Sequence, residues 1–209
     1  MAKLILLFLG AIAAILAVVW VALRVQTTRA EQTELLQEAQ KVLGGRIERT
    51  GALGLETLVL DGAGGESKIV LEQSPCPHQN RFRTHIVVRA ERVSAEVAYA
   101  RSKGASPGRS FSRPASVGHP TTIETAGGRV ELRTGRGGEP LAEGEALRAL
   151  LDDLGRKVGL AKFELAVETD AVKFAIDGFL TDADALADLH RLLRRFAEGG
   201  DRTAPAGIP

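Results

Sequence analysis

Phe163-Glu-Leu-Ala-Val-Glu-Thr-Asp-Ala-Val-Lys-Phe-Ala-Ile176 is the stretch on which the fold turns. Phe163, Leu165 and Val167 alternate, as do Val172, Phe174 and Ile176, and a strand turns successive side chains to opposite faces. With Glu168-Thr-Asp-Ala171 as the connection, this is an antiparallel hairpin with one apolar face. Before it, Leu147, Leu150, Leu151, Leu154 and Val158 recur at helical spacing behind Pro140, which opens that helix. After it, Thr181-Asp-Ala-Asp184 reads as a cap for a final helix carrying Leu186, Leu189, Leu192, Leu193 and Phe196. Arg191, Arg194 and Arg195 suit the negative end of that helix dipole, and Gly199-Gly200 stops it.

Working back towards the N-terminus, Thr121–Thr125 and Arg129–Thr134 flank Ala126-Gly-Gly128, a second hairpin signal. Leu55–Leu60 and Lys68–Gln73 flank Asp61-Gly-Ala-Gly-Gly65, a third. Phe82–Ala90 reads as a strand, and so does the alternation of Val93, Ala95, Val97 and Tyr99. The parity of apolar positions changes between Ala90 and Arg92, which places a tight turn or bulge there. Ser74-Pro-Cys-Pro-His-Gln-Asn80 is a loop, since two prolines deny ladder donors. Arg101–Pro120 holds Ser, Gly, Pro and Arg with little to bury, and reads as a flexible loop. The expected class is α+β, an antiparallel sheet with helices packed on one face and a closing ββαββα-like run. There is no βαβ alternation to support a doubly wound nucleotide fold.

The N-terminus differs in kind. Leu4–Leu23 is an uninterrupted apolar run of about 20 residues, long enough as a helix to reach roughly 30 Å, the thickness of a bilayer core. It exceeds a signal-peptide h-region, contains Trp20 and ends at Arg24, so it reads as an uncleaved transmembrane anchor. Thr28-Arg-Ala-Glu31 matches a capping box, and a helix is expected from Arg29 to Leu43 with Leu35, Leu36, Ala39, Val42 and Leu43 on one face and Gly44-Gly45 as its stop. The expected division is residues 1–27 as anchor, 28–198 as the α+β domain and 199–209 as a disordered tail. Arg24 and Arg29 make the C-terminal flank slightly richer in positive charge than Lys3 and the α-amine, which favours an inner-membrane, single-pass protein with its domain facing the cytoplasm.

Composition narrows the partners. Of 209 residues 44% are hydrophobic and 25% charged, ordinary for a globular domain. A net charge of +1 gives no field for nucleic acid, and 4% aromatic residues leave no platform for stacking bases or sugars. One cysteine excludes an internal disulfide framework.

No residue pattern reaches the specificity of a catalytic, cofactor or metal site, and none is expected. Cys76-Pro-His78-Gln79 shares three residues with the Cys-Pro-His-Cys of thioredoxin-like oxidants but has Gln79 for the resolving cysteine. Cys76, His78 and His85 are too few for structural zinc and lack paired spacing. Ser110 lies in Gly108-Arg-Ser-Phe-Ser112, which lacks the second glycine of a nucleophile elbow. Gly62–Gly65, Gly127-Gly128 and Gly135–Gly138 lack a Walker lysine and suit hairpin turns. Asp152-Asp153 reads as solvated helix charge.

Leu43-Gly-Gly-Arg46, Leu165-x-Val-Glu168, Phe174-x-Ile-x-Gly178 and Asp182-x-Asp-x-Leu186, behind an N-terminal span, resemble a group of uncharacterised bacterial single-span membrane proteins with a C-terminal α+β domain. These are packing and turn residues, and the group implies no activity. The expected function is a membrane-tethered, non-catalytic interaction or scaffolding domain that meets the lipid bilayer through Leu4–Leu23 and an unknown protein through the domain. Two alternatives stand beside it. One is a membrane-bound enzyme assembled from distant residues such as His78, His85 or His119. The other is an envelope carrier of an apolar ligand, which requires a large apolar pocket.

Overall fold

The chain is described as a computed structural model over residues 2–50, 55–62, 65–73, 82–93, 97–102, 120–134, 143–159, 162–177 and 182–199. Its elements in order are α1 (Ala2–Leu43), β1 (Arg46–Thr50), β2 (Leu55–Leu60), β3 (Ser67–Gln73), β4 (Phe82–Arg89), β5 (Ala98–Ser102), β6 (Thr121–Thr125), β7 (Gly128–Thr134), α2 (Glu143–Val158), β8 (Phe163–Val167), β9 (Ala171–Asp177) and α3 (Ala183–Ala197). One sheet takes the nine strands of the described residues in the order β1-β2-β3-β4-β9-β8-β5-β7-β6, and every neighbouring pair is antiparallel. The α+β class is therefore the observed one.

The ladder registers generate two faces. Ile47, Leu58, Ile69, Ile86, Phe174, Leu165, Ala100 and Leu132 lie side by side in one row from β1 to β7. These residues belong to the hydrophobic core or pack against it, together with Leu36 and Ala39 of α1, Leu151 and Leu154 of α2, and Leu186, Leu189 and Leu193 of α3. The helices therefore cover this face. Phe163 and Phe174, with ring centroids 5.9 Å apart, sit at the middle of it.

Several expectations change. The capping box at Thr28 starts no helix, because α1 runs unbroken through it. An N-cap residue must leave helical φ/ψ, and no glycine or proline between residues 11 and 43 interrupts the chain. The stop is where expected, since Gly44 and Gly45 take φ of 78° and 85° and the Gly44 amide donates to the Gln40 carbonyl at 2.7 Å. Arg46–Thr50 forms an edge strand that the sequence did not announce, because Ile47 is its only large apolar residue. Val93 lies outside any strand and donates to the Thr169 carbonyl at 2.9 Å, while Ala98 begins β5. Asp182 caps α3 as expected, accepting from the Asp184 amide at 2.9 Å. Pro140, most of the Arg101–Pro120 loop and the tail from Gly200 lie outside the described residues.

Among the described residues no helix is long and apolar enough to cross a membrane. The transmembrane reading of Leu4–Leu23 is thus not a structural finding. Within that run the described side chains are Gly10 and Ile12–Trp20, about 16 Å of helix, roughly half a bilayer core.

Gly155, at the start of the last turn of α2, packs against Gly127 in the β6–β7 turn so closely that a Cβ on either would overlap the other's backbone. Asp152, one turn earlier, accepts from the Ala126 amide at 2.9 Å, so it anchors this turn and is not merely solvated charge. Alanine at a helix interior normally gains about 1 kcal/mol over glycine. Gly155→Ala is expected instead to lose about 1–3 kcal/mol in a chemical denaturation of the purified chain, because backbone overlap outweighs propensity.

Candidate functional site

The opposite face of the sheet carries the polar residues. Register places Glu48, Thr57, Val70, His85, Ala175, Glu164, Arg101, Glu131 and Thr122 in one row across all nine strands. Its centre is buried, with Glu164 only 1% exposed and Ala175 fully covered. The Glu164 carboxylate accepts from the Arg83 guanidinium at 3.1 Å and from the Tyr99 hydroxyl at 3.0 Å. Arg83 stands on β4 and Glu164 on β8, with β9 between them. Strands lie about 4.8 Å apart, so the contact crosses roughly 10 Å of backbone spacing. It passes beside Ala175, the ladder partner of Glu164, whose single methyl leaves the path open. Arg101 and Arg133 both meet Glu131, at 3.4 and 2.8 Å, and Lys173 meets Glu168 at 2.6 Å.

These charges are matched. Burial, then the neighbouring Glu164 charge, pushes the Tyr99 phenol up to about 12, so it remains a hydrogen-bond donor. Burial and the adjacent Arg83 push His85 down to about 4, so its ring is neutral at physiological pH, and its Nε2 lies 3.4 Å from the Glu72 carboxylate. On the other face His190 of α3 is also pushed down to about 4, first by burial and then by Arg194 and Arg191. Neither of its ring nitrogens has a hydrogen-bond partner among the described residues. The belt thus pairs acids with bases and ties β4, β8, β5 and β7 together. Among the described residues no group of three or more His, Cys, Asp or Glu could hold a metal ion.

Of the residues singled out in the sequence, His85 lies in this belt. Cys76, His78, Ser110 and His119 lie outside the described residues. Arg83, Tyr99 and Glu164 were not anticipated. Their signal was Glu164 inside an otherwise apolar strand, flanked across the ladder by small residues, Ala166 on its own strand and Ala175 on the next.

Two other features are exposed. A groove of about 550 Å³ runs between α1 and the β1–β2 edge, lined by Gln37, Gln40, Lys41, Ile47, Arg49 and Glu56. Its lining is mostly polar. Within residues 12–20 of α1 the large apolar side chains are exposed, with Ile15 63%, Leu16 62%, Val18 69% and Trp20 60% exposed. A 100° turn per residue spreads these side chains, with Ile12 and Val19, over more than half the helix circumference.

No protein-family model and no curated protein matches the chain. Among solved structures it is similar to the crystal structure of the mycobacterial trehalose monomycolate transport factor A, TtfA. The two share 14% identity with a TM-score of 0.41, over 76% of this chain and 96% of that one. A likeness at this level carries no functional statement.

Two predictions test the belt and the buried histidines. Glu164→Ala should lose on the order of 3 kcal/mol of stability by removing a buried partner of Arg83, while Tyr99→Phe should lose about 1 kcal/mol. A double-mutant cycle over Arg83 and Glu164 reads their coupling. His85 and His190 have native pKa values near 4, below the 6.5 of a free histidine. The unfolded chain therefore binds more protons between these values. Stability is fully present above pH 6.5 and falls as pH drops towards 4, by on the order of 2–3 kcal/mol per histidine. His190→Leu should flatten that slope in urea titrations between pH 4 and 7.

Proposed function

We propose that this protein is a non-catalytic binding module held at a membrane by the N-terminal half of α1. The observation that carries the reading is the exposed apolar surface from Ile12 to Trp20. A helix that is apolar all round needs an apolar surrounding, and a single exposed patch of this kind marks a membrane or protein contact. The same helix continues without a break into Leu35, Leu36 and Ala39 of the core, so whatever receives residues 12–20 holds the domain directly. By sequence the run extends from Leu4 to Leu23, which supports a lipid bilayer as that surrounding, and the cations Arg24 and Arg29 favour a domain on the cytoplasmic side.

The absence of catalysis is part of the proposal, supported by the matched charges of the belt. As a carrier of an apolar ligand the domain would need an apolar cavity. Among the described residues the groove beside α1, with Ile47 as its one apolar lining residue, is not such a cavity.

Membrane fractionation of the full-length chain tests the tether. The wild-type chain should stay in the pellet after alkaline carbonate extraction. Replacing Leu16 and Val18 by lysine puts two charges in the run, each costing about 2.5–3.5 kcal/mol at a bilayer centre, and should move the chain to the supernatant. Equal extraction of both would remove the membrane reading and leave a protein partner for the apolar half of α1.

A further inference from the structure

We infer that the domain meets the lipid headgroups with one defined end of its sheet, the end at which β1 closes at Thr50, β2 opens at Leu55, β3 closes at Gln73 and β4 opens at Phe82. This rests on the membrane reading above and goes further, because it names the surface that faces the bilayer.

The direction of α1 across the sheet supplies the argument. Thr33 of α1 donates to the Glu56 carboxylate at 2.7 Å, and Gln32 donates to the Leu71 carbonyl at 3.5 Å. Glu56 is the second residue of β2, and Leu71 is near the close of β3. Seven residues later, Gln40 donates to the Gly45 carbonyl at 3.0 Å. A Cβ on Gly45 would meet Val59 and Leu60 at the other end of β2. α1 therefore runs alongside β2 in the same direction, and everything before Gln32 projects past the end where β2 begins. The register fixes which strand ends are there: Thr50 opposite Leu55, and Gln73 opposite Phe82.

Lengths bring that end to the membrane. From Leu23 to Gln32 the helix rises about 14 Å. The headgroup layer beyond the hydrocarbon edge takes up roughly 5–8 Å of this. The remaining gap is about the reach of a long side chain. The sheet twists by about 20–25° per strand, which confines the facing surface to the strands beside α1 and turns β5, β7 and β6 away. Because α1 lacks glycine and proline across this interval, there is no hinge to reorient the domain.

The test uses the full chain with Cys76→Ser, reconstituted in phosphatidylcholine–phosphatidylglycerol vesicles with a quencher on the lipid headgroups. A fluorophore is placed on single cysteines at the two ends of β3. Glu72→Cys lies at the end predicted to face the membrane and Lys68→Cys lies away from it, and both positions are exposed. Arg49→Cys and Lys41→Cys form a second pair in case the first disturbs the fold. The four-residue separation along β3 is about 13 Å, so the facing label should be quenched about threefold more strongly. Equal or reversed quenching in chains that float with the vesicles would overturn the orientation and leave the tether standing. Chains that do not float with vesicles at all would overturn both.

Discussion

The pairing of the β8–β9 hairpin on both its outer edges is the constraint on which this structure depends. β9 takes β4 as its partner and β8 takes β5, so a hairpin late in the chain joins two groups of strands that would otherwise share no ladder. β1 to β4 on one side and β5, β7 and β6 on the other become one sheet only through it. Every residue of β8 is buried as a consequence. Closing such contacts costs loop entropy before any hydrogen bond repays it, so the central pairing is the nonlocal step in forming the sheet.

The polar belt is what that insertion demands on the face away from the helices. A strand in the middle of a wide sheet is covered by its neighbours, and a charge there needs a partner within reach. Glu164 finds Arg83 two strands away and Tyr99 on the next, with Ala175 small enough to let the guanidinium pass. A buried ion pair is weak evidence of net stability, since desolvation offsets most of its attraction. It is stronger evidence of specificity. If β9 slipped by one residue against β4 or β8, Ala175 would give way to Phe174 or Ile176 at the centre of the polar row, and an apolar side chain would lie between Arg83 and Glu164.

How much of this was legible in the sequence follows from the range of each interaction. Hairpins β2–β3, β6–β7 and β8–β9 stand where alternation placed them, with turn glycines marking the first two, and α3 begins next to the aspartate that caps it. These are local signals. Strand order is not local: nothing near Arg83 says that its partner on β9 is Asp177, 94 residues further on, so this neighbour of β4 could not be read. Arg46–Thr50 escaped because an edge strand is protected by charge, and its Arg-Ile-Glu-Arg-Thr pattern has one apolar residue to betray it. Arg83 and Tyr99 escaped for the same reason as the strand order, since their roles exist only once β4, β8 and β5 are neighbours.

The capping-box reading at Thr28 shows how a local signal fails and what its failure means for function. Thr-x-x-Glu is favourable at a helix start only if the residues before it have no better state. Here they do, because the apolar run ahead of it is itself helical, and a helix already formed adds residues without paying again for nucleation. Breaking the chain at Thr28 would expose four orphan carbonyls and four orphan amides to gain one cap. Continuation wins, and it turns two elements into one rod whose last third is fixed in the core through Leu35, Leu36 and Ala39 against β2 and α3.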